Sequence, residues 1–295
     1  MQNEEQKNLD IDYNAPLINE LSEQPAEVNV IPTPNNPPWY NTAAFLTWIA
    51  SVAFILIVPN VLVGIYLFKA GVDLRNKEAL VEFIKTDPMT NILAIVAVIP
   101  AHILTLALAW MVVTKFNKFS FRQTLGWRFD TFNLWYIFVI VGLFLALAAV
   151  LTTLFGEQDN DLMRILRTSR TVVYIVAFLA TFTAPLVEEV IYRGILYSAL
   201  QRSYGVGYAV AIVTFLFAIV HVPQYYPDFV SISMIVLLSL ILTLVRVRAG
   251  NLLPCIVLHF VFNGIQSLLL ILQPFLQDNI GATQDKSALF FHFLK

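Results

Sequence analysis

The sequence predicts an all-α polytopic membrane helix bundle, with about seven transmembrane helices (six to eight) and short interfacial helices. Three observations predict it. Of 295 residues, 58% are hydrophobic and only 13% charged, whereas soluble domains carry about a quarter charged residues. The mean hydropathy is +0.71. The apolar residues gather in long, non-alternating runs, and only helices or closed barrels satisfy the backbone in hydrocarbon.

Residues 1–38 come first. They hold seven acids (Glu4, Glu5, Asp10, Asp12, Glu20, Glu23, Glu27) against one base, Lys7, with six prolines. No basic stretch leads into an apolar one, so the segment reads as a disordered, solvated arm rather than a secretory signal. The remainder carries 13 acids and 17 bases, with no basic cluster of the kind that binds nucleic acid.

Seven apolar runs follow: Ala43–Phe68, entered by the interface aromatics Trp39 and Tyr40; Asn91–Thr114, interrupted by Pro100; Phe132–Phe155; Thr171–Leu200; Val206–Val222; Phe229–Val247; and Leu252–Gln273. Between them, Arg75–Lys85 and Lys115–Phe129 mix bases with Leu, Phe, Ile and Trp and suit the headgroup level. The chain therefore divides into the arm 1–38, N-terminal membrane helices and interfacial segments 39–170, a membrane core 171–273 and a C-terminal tail 274–295. Lys and Arg divide almost evenly between the two sides, so charge sets no orientation. No internal repeat is evident. Cys255, the single cysteine, reads as a small core residue.

The fourth run breaks the pattern. "APLVEEVIYRG" places Glu188, Glu189 and Arg193 inside an apolar span. Each central charge costs about 2.5–3.5 kcal/mol on an insertion scale, so such charges are paired or face a wet cavity. Glu189 and Arg193 are four apart and share a face, with Glu first in the favourable order. Glu188 is turned about 100° away, which frees it for a cavity. Gly194 permits close helix approach.

Two later runs bring histidines. "FLFAIVH" ends on His221, and "HFVFN" carries His259 and Asn263 four apart on one face. From the side where runs four and five connect, Glu188, His221 and His259 lie at depths of about 18, 22 and 10 Å. A shift of several residues in the run ends lets these depths meet inside the bilayer. His102, beside Pro100, reads as a packed or helix-bonded residue, and His292 lies in the tail.

A carboxylate beside a histidine can take a proton from water. An imidazole and an amide can donate to the oxyanion of a tetrahedral intermediate. The same Glu, His221 and His259 can instead supply three ligands of a catalytic zinc. Neither H-E-x-x-H nor G-x-S-x-G occurs, so the common zincin and serine-hydrolase patterns are excluded.

These residues resemble a known family. "EEVIYRG" looks like the E-E-x-x-x-R motif of the CAAX-processing and bacteriocin-processing (CPBP, or Abi) intramembrane proteases. "FAIVH" (Phe217 to His221) resembles its F-x-x-x-H, and "HFVFN" its H-x-x-x-N, in the same order. The resemblance covers residues 171–273. It implies a membrane-embedded endopeptidase, glutamic rather than metallo in type. In it Glu188 and His221 activate water, His259 and Asn263 stabilise the oxyanion, and Glu189 and Arg193 support them.

The expected cofactor set is accordingly none, with zinc as the alternative. The expected partners are the lipid bilayer and a membrane-associated peptide, of the prenylated CAAX type or a leader, with no nucleic acid. The expected place is a bacterial cytoplasmic membrane. Two other classes use the same residues: a non-catalytic immunity or binding protein of this fold, and a transporter with Glu188 and Glu189 as a proton relay.

Overall fold

The computed structural model describes residues 31–130, 132–156 and 158–280, with backbone alone for Lys85 and 274–280. The expectations for residues 1–30, for 281–295 and for His292 lie outside the described residues.

Every long described element is a helix, and seven are long and apolar enough to cross a membrane. They are α1 (Asn41–Lys69), α2 (Pro88–Thr114), α3 (Trp135–Phe155), α4 (Arg170–Tyr204), α5 (Val206–Tyr225), α6 (Phe229–Ala249) and α7 (Leu253–Ile280). Each matches a predicted run within a few residues at its start, and α7 continues past the end of its run. A long helix with bilayer-matched hydropathy satisfies its own backbone, so its existence needs little from its neighbours.

Local chemistry sets the ends. Asp87 caps α2 by accepting from the Thr90 amide at 2.9 Å and the Thr90 hydroxyl at 2.8 Å. The break in α2 falls at Ala97 rather than at Pro100. Pro100 sits in the first turn beyond that break, where its missing N–H removes no helix bond. Gly205 (φ +85°) turns the chain from α4 into α5, and Gly250 (φ +67°) ends α6.

The interfacial pieces are shorter than the sequence suggests. Lys77–Thr86 is a helix capped by Asn76. Within 115–129 only Phe121–Leu125 is helical, started by Ser120 and stopped by Gly126. A third short helix, Asp161–Leu166, is capped by Asn160, whose side chain accepts from the Met163 amide at 3.0 Å.

The stretch expected as the end of the solvated arm is packed from Pro32 onward. Pro32, Pro34, Pro37 and Trp39 are buried. Asn35 O accepts from Gln201 Nε2 at 2.6 Å. Arg202 donates to Pro37 O and, at 2.7 Å, to Trp39 O. Arg246 Nη2 donates to Pro34 O at 2.7 Å. This strap crosses the ends of α4 and α6 at the N-terminal entry to α1.

Two cores hold the bundle. One joins α1, α2, α4 and α5 through Ala44, Ala109, Val190, Ile195, Leu200 and Val213. The other joins α3, α6 and α7 through Val141, Phe144, Leu242 and Phe262. The outward faces of the helices carry large apolar side chains such as Leu56, Leu143 and Phe215, as a lipid-facing surface requires.

Candidate active site

α4 is not a uniform α-helix. Arg170–Phe178 is α-helical, Leu179–Thr183 is a π turn, Ala184–Glu189 is α, Val190–Leu196 is again π, and Tyr197–Tyr204 is α. π turns are rare and concentrate at functional sites.

The first π turn follows from Pro185. The Ala184 amide donates to Leu179 O, five residues back. Continuing that pattern, Ala180 O would accept from residue 185, but proline has no N–H. Asn263 fills the gap: its Nδ2 donates to Ala180 O at 2.7 Å. The second π turn contains Gly194. A Cβ there would come within 3.1 Å of Leu125 Cδ2 and 3.3 Å of Leu252 Cδ2, so the close approach expected for Gly194 is present.

Glu189 and Arg193 meet as their spacing predicts, Nη1 to Oε1 at 2.9 Å, both wholly buried. Arg193 has further partners on α6. Its Nη2 donates to Ser239 O (3.0 Å) and Oγ (2.9 Å), and its Nε donates to Thr243 Oγ1 (3.3 Å). Its guanidinium also lies over the Phe217 ring, 4.7 Å from the centroid. Glu189 Oε1 accepts a second bond, with His259 Nδ1 at 2.8 Å.

The two histidines are oriented alike. His221 Nδ1 lies 2.7 Å from Phe217 O, and its ring stacks on Phe217 at 4.6 Å. A carbonyl and an ionised carboxylate only accept, so both Nδ1 atoms carry the proton. Each Nε2 is thereby left to face the site.

Both face Glu188. Its Oε1 is 3.9 Å from His221 Nε2, and its Oε2 is 3.8 Å from His259 Nε2. These separations exceed a direct hydrogen bond and suit a small bridging molecule. Glu188 and His221 keep about a fifth of their side-chain surface exposed (22% and 21%), whereas His259 is at 3% and Glu189 at zero. The site is thus open at Glu188 and His221 and closed behind them.

The structure therefore brings Glu188, His221 and His259 together, with Glu189 and Arg193 behind His259. Asn263 stands one turn along α7, and its Nδ2 hydrogen bond goes to Ala180 O rather than to those three. The donor types suit zinc. Among the described residues, however, no three His, Cys, Asp or Glu side chains stand in an arrangement that could hold a metal ion.

One buried charge escaped the sequence reading. Arg246, at the end of α6, is fully buried, and its Nε and Nη1 have no partner among the described residues. It lies over the Tyr197 ring at 5.2 Å. A cation at the end of a span reads in sequence as an ordinary interface residue.

This arrangement can be set beside known proteins. Residues 170–265 match the family model described as Rce1-like, type II CAAX prenyl endopeptidase. Over these residues the chain is similar to the Rce1-like proteins. The Rce1-like segment is roughly a third of the chain and contains all seven motif residues, from Glu188 to Asn263. That similarity supports a CAAX-type intramembrane endopeptidase, a membrane hydrolase, as the general class, and implies a membrane-associated peptide as substrate. No curated protein and no solved structure matches the chain.

Proposed function

We propose that this protein cleaves a membrane-associated peptide, of the prenylated CAAX type or a leader, using water activated by Glu188 and His221 without a metal. The observation that carries the reading is the Glu188 carboxylate set between two imidazole Nε2 atoms, at 3.9 and 3.8 Å, and still reachable from outside the protein core.

All three facing groups are acceptors when the histidines are neutral, so a water placed among them donates its protons to them. As its oxygen forms a bond to the scissile carbonyl carbon, one proton passes to the Glu188–His221 pair. The carbonyl oxygen takes up negative charge. His259 Nε2 takes the second proton of the attacking water and holds it in a hydrogen bond to that oxygen; the Glu189 carboxylate at Nδ1 stabilises the resulting imidazolium, which releases the proton to solvent once the carboxylate product departs. Asn263 has two N–H groups; one is held by Ala180 O, and the second serves the oxyanion. The C–N bond then breaks, and the departing amine nitrogen takes the proton from the Glu188–His221 pair. Glu189 and Arg193 hold His259 in place. A bacterial cytoplasmic membrane is the proposed setting.

Replacing Glu188 by Gln keeps the shape and removes the base. Purified Glu188→Gln is expected to lose cleavage of a membrane-embedded CAAX peptide by at least about 100-fold, the usual worth of a general base, while folding normally. Cleavage at the wild-type rate would sink the mechanism. The wild-type protein treated with a chelator is expected to retain its rate. Zinc lost together with activity would replace this chemistry by the metal-dependent one.

A further inference from the structure

Glu188 lies on the short α-helical piece Ala184–Glu189, between the two π turns. Each π turn holds one more residue than an α turn, which rotates everything beyond it by about 100° relative to an unbroken α-helix. The direction of Glu188 therefore depends on both turns staying π. Such turns are rare and occur mostly as single-turn bulges inside α-helices.

Side chains from outside the Rce1-like segment grip both of them. On the first, His102 of α2 places Nδ1 3.0 Å from Thr183 Oγ1. The Thr183 hydroxyl donates to Leu179 O at 3.3 Å, so its oxygen accepts the imidazole N–H. On the second, Trp48 of α1 donates Nε1–H to Tyr192 Oη at 3.0 Å. Tyr192 packs edge-on against Phe217 at 5.0 Å, the ring that stacks on His221. Trp39 donates Nε1–H to Ile195 O at 3.1 Å. α1 and the part of α2 after Ala97 both pack on the second π turn, and that part of α2 also packs on the first. His102, Trp48 and Trp39 all precede residue 170, and none is hydrogen-bonded to Glu188, His221 or His259.

We infer that His102 and Trp48 are positioning residues of the Glu188 site. They act by holding the π turns on either side of it, so the N-terminal helices are a working part of the catalytic geometry. The inference rests on the proposed function for its kinetic readout, and it has a second readout that does not.

The experiment compares His102→Leu, Thr183→Val and the double variant, with Trp48→Phe as an independent probe of the second turn. Cleavage of the membrane-embedded CAAX peptide is resolved into kcat and KM, and amide exchange across Leu179–Leu196 is followed in detergent. Each single variant is expected to lower kcat about 10- to 100-fold with KM within about twofold, the scale of a misplacement near 1 Å. The double variant is expected to fall no further than the worse single one, because both remove the same hydrogen bond. His102→Asn, which keeps a donor, is expected to recover most of the rate. Exchange is expected to rise within Leu179–Leu196 and not in α3. Wild-type kcat in His102→Leu and Thr183→Val, or additive losses in the double variant, would overturn the inference. If His102→Leu does not fold, the near-isosteric Thr183→Val decides alone. If the wild-type protein cleaves nothing, the proposed function fails. The exchange then decides the positioning role: a rise confined to Leu179–Leu196 upholds it, and an unchanged pattern removes it.

Discussion

Glu189 Oε1 takes hydrogen bonds from Arg193 and His259 at once. That single oxygen joins the buried ion pair to the His259 imidazole. The rest of the Arg193 guanidinium is spent on Ser239, Thr243 and the face of Phe217. Arg193→Met removes the cation and leaves the Glu189 carboxylate buried against one histidine. Breaking a buried pair on one side destabilises by about 3–5 kcal/mol. The unfolding midpoint in detergent is expected to drop by several degrees, and an unchanged midpoint would show that the pair contributes no stability. At this scale the sequence was legible where contacts are local. The Glu189–Arg193 spacing and the separate direction of Glu188 follow from helix geometry. The Ser239 and Thr243 partners lie on another helix, and no spacing in α4 announces them. The burial of Arg246 was hidden for the same reason, since its partner Pro34 O is 212 residues away.

The elements tell a similar story with one instructive miss. The spans are legible because hydrocarbon imposes their length and composition. The π turns are not, because they depend on groups far away in sequence: Asn263 on Ala180 O, Trp39 on Ile195 O, His102 on Thr183. Pro185 was the one local signal, a missing donor five residues after Ala180. Restoring that donor tests the account. Pro185→Ala supplies an N–H that competes with Asn263 for Ala180 O and lets α4 relax toward a regular ladder. Cleavage is expected to fall at least about tenfold, with the helix content by circular dichroism retained. A rate equal to wild type would mean that Asn263 and His102 maintain the first π turn without help from the proline.

At the scale of the whole molecule, two solvents shape the chain. The strap at Pro32–Trp39 was concealed by averaging: every acid of 1–38 lies at or before Glu27, so the packed end shared a composition window with a segment unlike it. The bundle itself obeys the bilayer. Leu143 and Phe116 are similarly exposed, 69% and 77%, yet they stand in different surroundings. Leu143 is near the middle of α3, on its outward face. Phe116 follows the end of α2, in a turn with Lys115 and Lys118 beside it. A charge at mid-span costs about 2.5–3.5 kcal/mol, whereas a long basic side chain at a helix end reaches the headgroups. Leu143→Lys is therefore expected to reduce the membrane-integrated fraction markedly, and Phe116→Lys to leave it within experimental scatter, as read by carbonate extraction of membranes. In water the two substitutions would be equally harmless, since both replace an exposed apolar side chain with a soluble one. A difference between them thus reports the solvent around α3, and equal integration of the two would remove the bilayer from around that helix.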